Sequence, residues 1–363
     1  MPGFEVAVVG ATGAVGQTVL RVLEERSFPV AALRATASAR SAGRTVTFRG
    51  QPHTVVETTS EALAGVQIAF FGGGDGASER FARAAAAAGT LVIDKSSTFR
   101  MAPDVPLVIP EVNRHALRGH RGIIANPNCS TITMLMALAP LHAVVPIRRV
   151  VVCTYQSVSG AGRDQMDALL DQARRLLADE ALLRERPQPD AVERVAGTAQ
   201  PIAFNLLPQW KWMPGGVTEE EDKMIHETRK IMEADLPVSV TTVRVPILIS
   251  HLMALHVEFA RPFPVDRARA VLAAAPGVEV ADDPDHGVFP TPLYATGRDA
   301  CIVGRLRPDP TVPHGLCLVA VTDNLRKGAA LNAVQIAEAL IADGLAAERQ
   351  NPKPPSRSLA GGS

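Results

Sequence analysis

Residues 5–16 read EVAVVGATGAVG, a short apolar run that leads directly into three evenly spaced glycines. Beyond them, apolar side chains recur at helical spacing at Val19, Leu20, Val22 and Leu23. The pattern predicts a strand, a tight glycine turn and a helix. Such a turn lets the backbone approach a pyrophosphate, whose charge then faces the free N–H groups at the start of the helix. Because the spacing is G-x-x-G-x-x-G and not G-x-G-x-x-G, close packing of the helix on the strand is an alternative explanation.

The alternation of strands and helices continues after this unit. Residues 68–71 predict a buried strand, followed by a glycine-rich loop at 72–76, a helix at 77–88 and another strand at 91–93. This order is typical of a parallel, doubly wound sheet, in which ligands bind beyond the carboxyl ends of the strands. Arg100 follows the last of these strands, where its planar guanidinium could hold an anion.

A candidate cofactor site follows from the charges of residues 27–56, which include no Asp or Glu. A carboxylate in this region would bind the ribose 2′-hydroxyl of NAD. The region instead contains Ser38, Arg40 and Ser41, and a guanidinium beside hydroxyls suits a 2′-phosphate. We therefore predict NADP as the cofactor, with a solvated basic loop as the alternative.

A reactive cysteine is predicted within residues 126–131, NPNCST, which precede the apolar run 132–141. The Asn-Pro pair ends the preceding strand, and Ser130 and Thr131 can open a helix. Cys129 would then lie beside free N–H groups at the positive end of the helix dipole, where a thiolate is favoured over a thiol. The alternative, a small buried hydrophobe, fits an arbitrary cysteine better than one with these neighbours.

The chain beyond this helix predicts a second unit of strands and helices. A strand at 150–155 and a Ser/Gly loop at 156–162 precede a helix at 164–178. Residues 184–200 are rich in proline and charge, which predicts a connecting loop.

Several polar residues of this second unit are candidates for a site. Glu220 and Lys223 lie three positions apart in a predicted helix at 219–232 and therefore share one face, although a solvated, salt-bridged helix is the alternative. Arg244 lies in a predicted strand at 241–246.

Two histidines compete as a proton shuttle, because imidazole titrates near neutrality. His251 and His256 are five positions apart, so in an extended segment they cannot lie on the same face. This spacing excludes a dinuclear metal site built on both rings, and we predict no metal site.

Length and composition limit the classes of function. The 363 residues are enough for two domains, and 37 basic residues balance 37 acidic ones. We therefore expect neither nucleic acid nor an anionic membrane as a partner. The four cysteines show no C-x-x-C spacing and the N-terminus no signal-peptide pattern, so we expect a cytoplasmic protein.

Taken together, the motifs resemble the aspartate-semialdehyde dehydrogenase family over most of the chain. The matching segments follow one another in the family's order: Gly10–Gly16, Ser97–Arg100, Pro110–Asn113, Asn126–Thr131, Tyr155–Gly162, Arg244–Pro246 with His251, and Asp323–Gly328.

The resemblance implies an α/β fold with an N-terminal Rossmann-type doubly wound sheet and a second α+β domain for catalysis and dimerisation. The first domain would comprise residues 1–128, completed by a returning helix at 329–345, and the second residues 129–328. It implies a homodimer or homotetramer. Residues 350–363, rich in proline and serine, should be a disordered tail.

The resemblance also implies a reaction, the reversible interconversion of aspartyl β-phosphate and aspartate β-semialdehyde through a cysteine thioester. The catalytic residues it implies are Cys129 as nucleophile, His251 as acid–base and Gln156 as the group that orients the substrate. The residues it implies for substrate and phosphate are Arg244 for the carboxylate, Glu220 for the amino group, Arg100 and Lys223 for phosphate, and Asn128. The predicted cofactor residues are Gly10, Thr12, Gly13, Ala14, Val15, Gly16, Ser38, Arg40, Ser41, Gly73, Ser159, Gly160 and Asn324, the last near the nicotinamide.

Departures from the family pattern occur at Gly72, Gly73, Lys95, Leu252 and Met253. They leave open a related carboxylate substrate for a paralogous semialdehyde dehydrogenase. Two other classes remain as alternatives, a cysteine hydrolase without a nicotinamide and a non-catalytic NADP-binding regulator.

Overall fold

The computed structural model describes residues 3–184, 188–208 and 211–346, so the predicted tail at 350–363 lies outside the described residues. Its strands are, in chain order, β1 (Phe4–Val9), β2 (Val30–Ala37), β3 (Thr45–Phe48), β4 (Gln51–Thr54), β5 (Val56–Glu57), β6 (Ile68–Phe71), β7 (Leu91–Asp94), β8 (Ile123–Ala125), β9 (Ile147–Gln156), β10 (Leu207–Pro208), β11 (Val238–Arg244), β12 (His251–Phe259), β13 (Val278–Val280), β14 (Cys301–Asp309) and β15 (Gly315–Thr322). Its α-helices are α1 (Ala14–Glu25), α2 (Asp75–Ala87), α3 (Pro110–Asn113), α4 (Cys129–Val144), α5 (Arg163–Leu177), α6 (Ala181–Arg184), α7 (Pro189–Ala196), α8 (Glu219–Met232), α9 (Val265–Ala274), α10 (Pro292–Ala295) and α11 (Leu331–Ala342). Among the helices in these ranges, none combines the length and the apolar character needed to cross a bilayer.

The first large sheet contains six parallel strands in the order β5-β2-β1-β6-β7-β8. Strands β6, β7 and β8 are buried along their whole length, as expected for a parallel sheet covered on both faces. The predicted Rossmann-type doubly wound sheet is confirmed. Because the strand order reverses between β1 and β6, the carboxyl ends of these two strands open the crevice in which such sheets bind ligands.

Two glycine turns meet at this crevice. Gly10, after β1, has a φ of +80°, and a Cβ there would lie 2.7 Å from the Cα of Gly73, after β6. A side chain at residue 10 would therefore be strained and would force the two turns apart. A Cβ on Gly16 would lie 2.2 Å from the carbonyl oxygen of Gly10, so this glycine lets α1 pack closely against the turn.

Helix α11 returns to the first sheet after the chain has formed the second. Its apolar residues pack in one core with α1 and with Val6 and Val8 of β1. A returning helix is predicted from residue 329, but the regular α-helix begins at Leu331, because Arg326–Ala330 form a π-helical turn. This turn brings Gly328 against the start of α4, where a Cβ on Gly328 would lie 3.0 Å from the Cβ of Cys129.

The second large sheet is mixed, with seven strands in the order β10-β11-β9-β12-β15-β14-β13. Strands β9 and β11 are parallel, whereas β12 pairs antiparallel with both β9 and β15. Helices α4, α8 and α9 lie in one continuous core with this sheet and with β6 and β7 of the first. The predicted second α+β domain is confirmed, and the start of α4 lies where the two sheets approach each other.

The prediction of a connecting loop at residues 184–200 is wrong, because helix α7 occupies part of this segment. Pro189 is at its first helical position, where the missing N–H costs nothing, and Gly197 ends it with a φ of +76°. The helix packs against α5 in a small core of its own. Proline breaks the interior of a helix but can begin one, so a proline-rich segment does not by itself predict a loop. Residues 185–187 lie outside the described ranges.

Candidate active site

Cys129 is the first residue of α4, as its turn-forming neighbours predict. The side-chain oxygen of Asn128 caps this helix by accepting hydrogen bonds from the backbone N–H groups of Ser130 (2.8 Å) and Thr131 (3.3 Å). The cap is therefore Asn128, and not the Ser130 or Thr131 side chain that the sequence suggested.

His251 lies at the start of β12, fully buried, with its Nε2 3.3 Å from the Cys129 sulfur. The backbone N–H of Ser157 donates to the other ring nitrogen, Nδ1, at 3.1 Å. Because a backbone N–H can only donate, Nδ1 must present a lone pair, and the neutral ring carries its proton on Nε2, facing the sulfur. Burial, with the nearby positive charge of Arg244, lowers the pKa of His251 to about 3, so the ring is neutral at neutral pH.

The prediction that Cys129 favours a thiolate is wrong. Burial raises the pKa of the Cys129 thiol and the Glu220 carboxylate raises it further, whereas Lys95, Arg100 and Arg244 lower it by a smaller amount. The helix-terminal N–H groups on which the prediction relied are occupied by the Asn128 oxygen and not by the sulfur.

Asn324 lies behind His251 and connects three segments of the second domain. Its side-chain oxygen accepts hydrogen bonds from the hydroxyls of Ser157 and Ser159, both at 3.1 Å, and from the backbone N–H of Ser250 at 2.8 Å. Asn324 and Ser159, both predicted to bind cofactor, are 2 % and 3 % exposed. In this arrangement their side chains support the loop that holds the imidazole.

Gln156 and Arg244 end neighbouring strands, β9 and β11, and are paired in register. Both side chains are buried and line the cavity above Cys129. Arg244 Nη1 donates to the Ser157 carbonyl at 2.6 Å, which fixes the plane of its guanidinium. Gly160 lies against this pair of groups, since a Cβ there would be 3.2 Å from Arg244 Nη1 and 3.4 Å from His251 Nε2.

A group of charged residues lines the opposite side of the same cavity. Arg100 is buried, donates through Nη2 to the Lys95 carbonyl at 2.8 Å, and has no acceptor for its Nε among the described residues. Glu220 accepts a hydrogen bond from Asn128 Nδ2 at 2.8 Å and lies 3.9 Å from Lys223 Nζ. The predicted Glu220–Lys223 face of α8 therefore points to the cavity that contains the thiol.

Glu227 belongs to this site, although sequence reasoning missed it. One carboxylate oxygen accepts from the backbone N–H of Asn128 at 2.7 Å, and the other accepts from Arg100 Nη1 at 2.9 Å. Glu227 is 1 % exposed. It lies about two helical turns after Glu220 and therefore on the same side of α8. That seven-residue spacing from Glu220 was the one available signal.

The departures from the family pattern are at different distances from the thiol. Lys95 and Gly72 line the cavity. Met253 is fully buried in the main core, and Leu252 lies on the opposite face of β12 from His251, packed in a small separate core. Leu252 therefore does not surround the His251 ring.

The predicted cofactor residues form a second groove at the carboxyl ends of β1, β2 and β6. Those that line it are Gly10, Thr12, Gly13, Ser38, Arg40, Ser41 and Gly73. Ala14, Val15 and Gly16 form the first turn of α1, which has no side-chain cap. The groove shares Gly72 with the cavity around Cys129, so the two are adjacent.

Two charged residues of this groove escaped the sequence analysis. Glu57 lies just beyond the acid-free window, and its pairing with Ala37 across β5 and β2 brings it next to Ser38. Arg80 reaches the groove from α2. The groove therefore contains a basic candidate for a ribose 2′-phosphate, Arg40, and an acidic candidate for a ribose 2′-hydroxyl, Glu57.

Comparison with known proteins agrees with this arrangement. Residues 5–120 match the family described as "Semialdehyde dehydrogenase, NAD binding domain", and residues 138–327 match "Semialdehyde dehydrogenase, dimerisation domain". The aspartate-semialdehyde dehydrogenase of Synechocystis is 46% identical over 94% of this chain and 98% of its own length, and that of Bacillus subtilis is 46% identical over 93% and 97%.

Solved structures show the same likeness. Aspartate semialdehyde dehydrogenase II from Vibrio cholerae, crystallised in complex with ASA, superposes with a TM-score of 0.87 at 43% identity and covers 94% of this chain and 99% of its own. The Candida albicans enzyme, solved with NADP, gives a TM-score of 0.71 at 25% identity over 94% and 99%. From its two matched domains and these relatives, the chain belongs to the aspartate-semialdehyde dehydrogenase family.

Proposed function

We propose that this protein catalyses the reversible conversion of L-aspartyl 4-phosphate to L-aspartate 4-semialdehyde and phosphate, with NADP as cofactor and a thioester on Cys129. The observation that carries the proposal is the convergence of one thiol, one imidazole and two guanidiniums, those of Arg100 and Arg244, in a single cavity next to the nucleotide groove.

The substrate is held at its α-carbon, through both the carboxylate and the amino group. The guanidinium of Arg244 is fixed at one edge by the Ser157 carbonyl, and its planar fork suits a carboxylate. Glu220 provides a carboxylate for the substrate amino group, and its bond to Asn128 fixes it above the thiol. These contacts select a short α-amino acid with a reactive carbonyl at its far end.

Starting from the acyl phosphate, the sulfur of Cys129 attacks that carbonyl, and its thiol proton leaves to solvent or to the phosphate. The bond from carbon to the phosphate oxygen then breaks, phosphate departs, and the carbonyl re-forms as the thioester. His251 donates its Nε2 proton in a hydrogen bond to the oxygen that becomes negative. Gln156 orients the carbonyl from the adjacent strand.

The phosphate binds between Arg100, Lys223 and Lys95. The buried Nε of Arg100, which no described residue accepts from, is the donor that an oxyanion would satisfy. Lys95 adds a cation close to the sulfur, where burial lowers its pKa. The positive charge of Lys95 would attract both the phosphate and the thiolate of Cys129.

The residues of the groove fit a dinucleotide. A Cβ on Gly13 would meet only the Gly10 oxygen, at 3.3 Å, so the backbone is open where a pyrophosphate would approach. The uncapped N-terminus of α1 offers free N–H groups to its charge, and Arg40 with Ser38 and Ser41 would hold a 2′-phosphate. When bound, the cofactor supplies or accepts the hydride.

We further infer that the protein assembles as a homodimer, or as a homotetramer built from such dimers. The matched dimerisation domain, residues 138–327, supports this inference. Its mass in solution, measured by light scattering, separates these states from a monomer.

The substrate is tested by comparing aspartate semialdehyde with succinate semialdehyde and N-acetylglutamate semialdehyde, each with phosphate and NADP. We expect the highest kcat/KM for aspartate semialdehyde, because only it satisfies Arg244 and Glu220 together. Arg244→Lys should lower that value by about tenfold or more, since lysine cannot form two parallel hydrogen bonds. Equal turnover of all three substrates would overturn the proposed substrate. If none of the three is turned over, the alternatives are a cysteine hydrolase and a non-catalytic regulator.

Cys129 is tested by alkylation and by substitution. Loss of activity with iodoacetamide should parallel modification of Cys129 and not of the half-buried Cys153, and Cys129→Ala should lower turnover by several orders of magnitude. Because the thiol pKa is raised, the alkylation rate should still be rising above about pH 8.5, where an ordinary thiol is half ionised. It should show no inflection near pH 6.5, because His251 does not ionise there. Cys153→Ala is the control and should retain activity; a rate plateau below pH 7 would contradict the protonated thiol.

Cofactor preference is tested at Arg40. Arg40→Ala should lower kcat/KM for NADP by roughly ten- to a hundredfold and leave that for NAD unchanged, since a charge-assisted hydrogen bond contributes about 1.5–3 kcal/mol. Arg44→Ala, outside the groove, is the control. Should the unmodified protein prefer NAD, Glu57 would be the acid that binds the ribose hydroxyls, and Glu57→Gln would then lower NAD use.

Glu227 is tested as a positioning residue. Glu227→Gln removes the buried charge that pairs with Arg100, so KM for phosphate should rise more than KM for the semialdehyde, with kcat falling by up to about a hundredfold. Glu233→Gln, at the exposed end of the same helix, should change neither. Either role lowers the melting temperature, but a purely structural role would change both KM values equally.

A further inference from the structure

Three side chains of different chemistry meet on the second sheet, away from Cys129. His256 on β12 is paired in register with Cys317 on β15, and Asp309 is the last residue of β14. His256 lies five residues after His251 and faces the other side of the sheet, where half of its side chain is exposed. Asp309 and Cys317 are buried.

The ligand-type atoms of this cluster converge on one point. His256 Nδ1 is 3.0 Å from Asp309 Oδ2 and 3.3 Å from Cys317 Sγ, and all three atoms lie within 4.8 Å of one another. In a tetrahedral site with Zn–N and Zn–O bonds of about 2.0–2.2 Å and Zn–S bonds of about 2.3 Å, neighbouring ligand atoms are about 3.3–3.6 Å apart. Small side-chain shifts would open the cluster to that size.

The same geometry does not form a nucleophilic relay. In a Cys-His-Asp relay the sulfur and the carboxylate contact different ring nitrogens. Here both contact Nδ1, and burial raises the pKa of the Cys317 thiol. Convergence on a single nitrogen is what a shared cation would produce, with the proton of His256 moved to the outward Nε2.

Asp309 is oriented as a metal-binding carboxylate would be. Its other oxygen, Oδ1, accepts from the Thr311 hydroxyl at 2.6 Å and from the Thr311 backbone N–H at 3.0 Å. Contacts of this kind fix ligand direction and strengthen metal sites.

We propose that His256, Asp309 and Cys317 bind a borderline divalent transition metal, with Zn²⁺ first, and with water in the fourth position. Imidazole nitrogen, carboxylate oxygen and thiolate sulfur are all zinc ligands, and the thiolate disfavours Mg²⁺ and Ca²⁺. Binding releases the Cys317 proton to solvent, and the thiolate and carboxylate then neutralise the cation. Arg149 and Glu258, which line the adjoining cleft, bring opposite charges, and Arg307, paired with Cys317, adds one positive charge that the carboxylate and thiolate must also offset.

The bound metal would connect β12, β14 and β15 at the end of the sheet away from His251. Its effect is therefore on stability. A ligand that binds only the folded state raises the melting temperature in proportion to the logarithm of its concentration over Kd.

The test is a Co²⁺ titration of the full chain carrying Cys129→Ala, because Cys129 and His251 are themselves close enough to bind a metal. We expect one equivalent to produce a thiolate-to-cobalt charge-transfer band and the intense visible bands of tetrahedral cobalt. Cys317→Ser should abolish the charge-transfer band. Since loss of a residue that merely orients a ligand weakens binding about 10–100-fold, His256→Gln should weaken it at least about tenfold.

Cys301→Ser, a buried cysteine elsewhere in the same sheet, is the matched control and should retain the band. Zn²⁺ should raise the melting temperature of the Cys129→Ala protein but not that of the protein that also lacks Cys317. The site is disproved if no band forms in the Cys129→Ala protein, or if the band survives Cys317→Ser. Melting temperatures of the metal-free variants show that each is folded before titration.

Discussion

The carboxylate of Glu227 fixes the distance between the two groups on which the chemistry depends. It joins the backbone just before the nucleophile to the guanidinium of Arg100, which comes from the loop after β7. Because this ion pair is buried, removal of one partner would cost about 3–5 kcal/mol. One side chain of α8 therefore ties together the start of α4 and the edge of the first sheet. The positions of thiol and anion site are set by a buried salt bridge and not by loop packing alone.

The electrostatics of the cavity around Cys129 favour a neutral thiol and a neutral imidazole. Burial keeps the proton on the thiol of Cys129 and off the imidazole of His251, and Arg244 contributes to the second effect. A substrate carboxylate bound to Arg244 would neutralise that contribution, so the pKa of His251 would rise on binding. The ring thus becomes better able to exchange a proton when a substrate is in place.

Local patterns predicted most of the elements, because helix and strand periodicity and turn residues act over a few positions. The helix at 219–232 and the strand at 68–71 have the predicted bounds. What local patterns could not show is which distant groups compete for the same donors. The N–H groups assigned to the sulfur of Cys129 are taken by the Asn128 oxygen, and Glu227 reaches Asn128 from 99 positions away. Glu57 was missed for the same reason, since only the pairing of β5 with β2 brings it to the cofactor groove.

Strand β12 shows both the strength and the limit of such reasoning. Alternation along a strand correctly separates His251 from His256, which excludes one metal site containing both. The same alternation places His256 among residues of β14 and β15, of which Asp309 is 53 positions away. A periodicity rule states which face a residue occupies but not what the neighbouring strands present there. The register of the sheet supplies that second fact, and it turns an unassigned histidine into one member of a three-residue cluster.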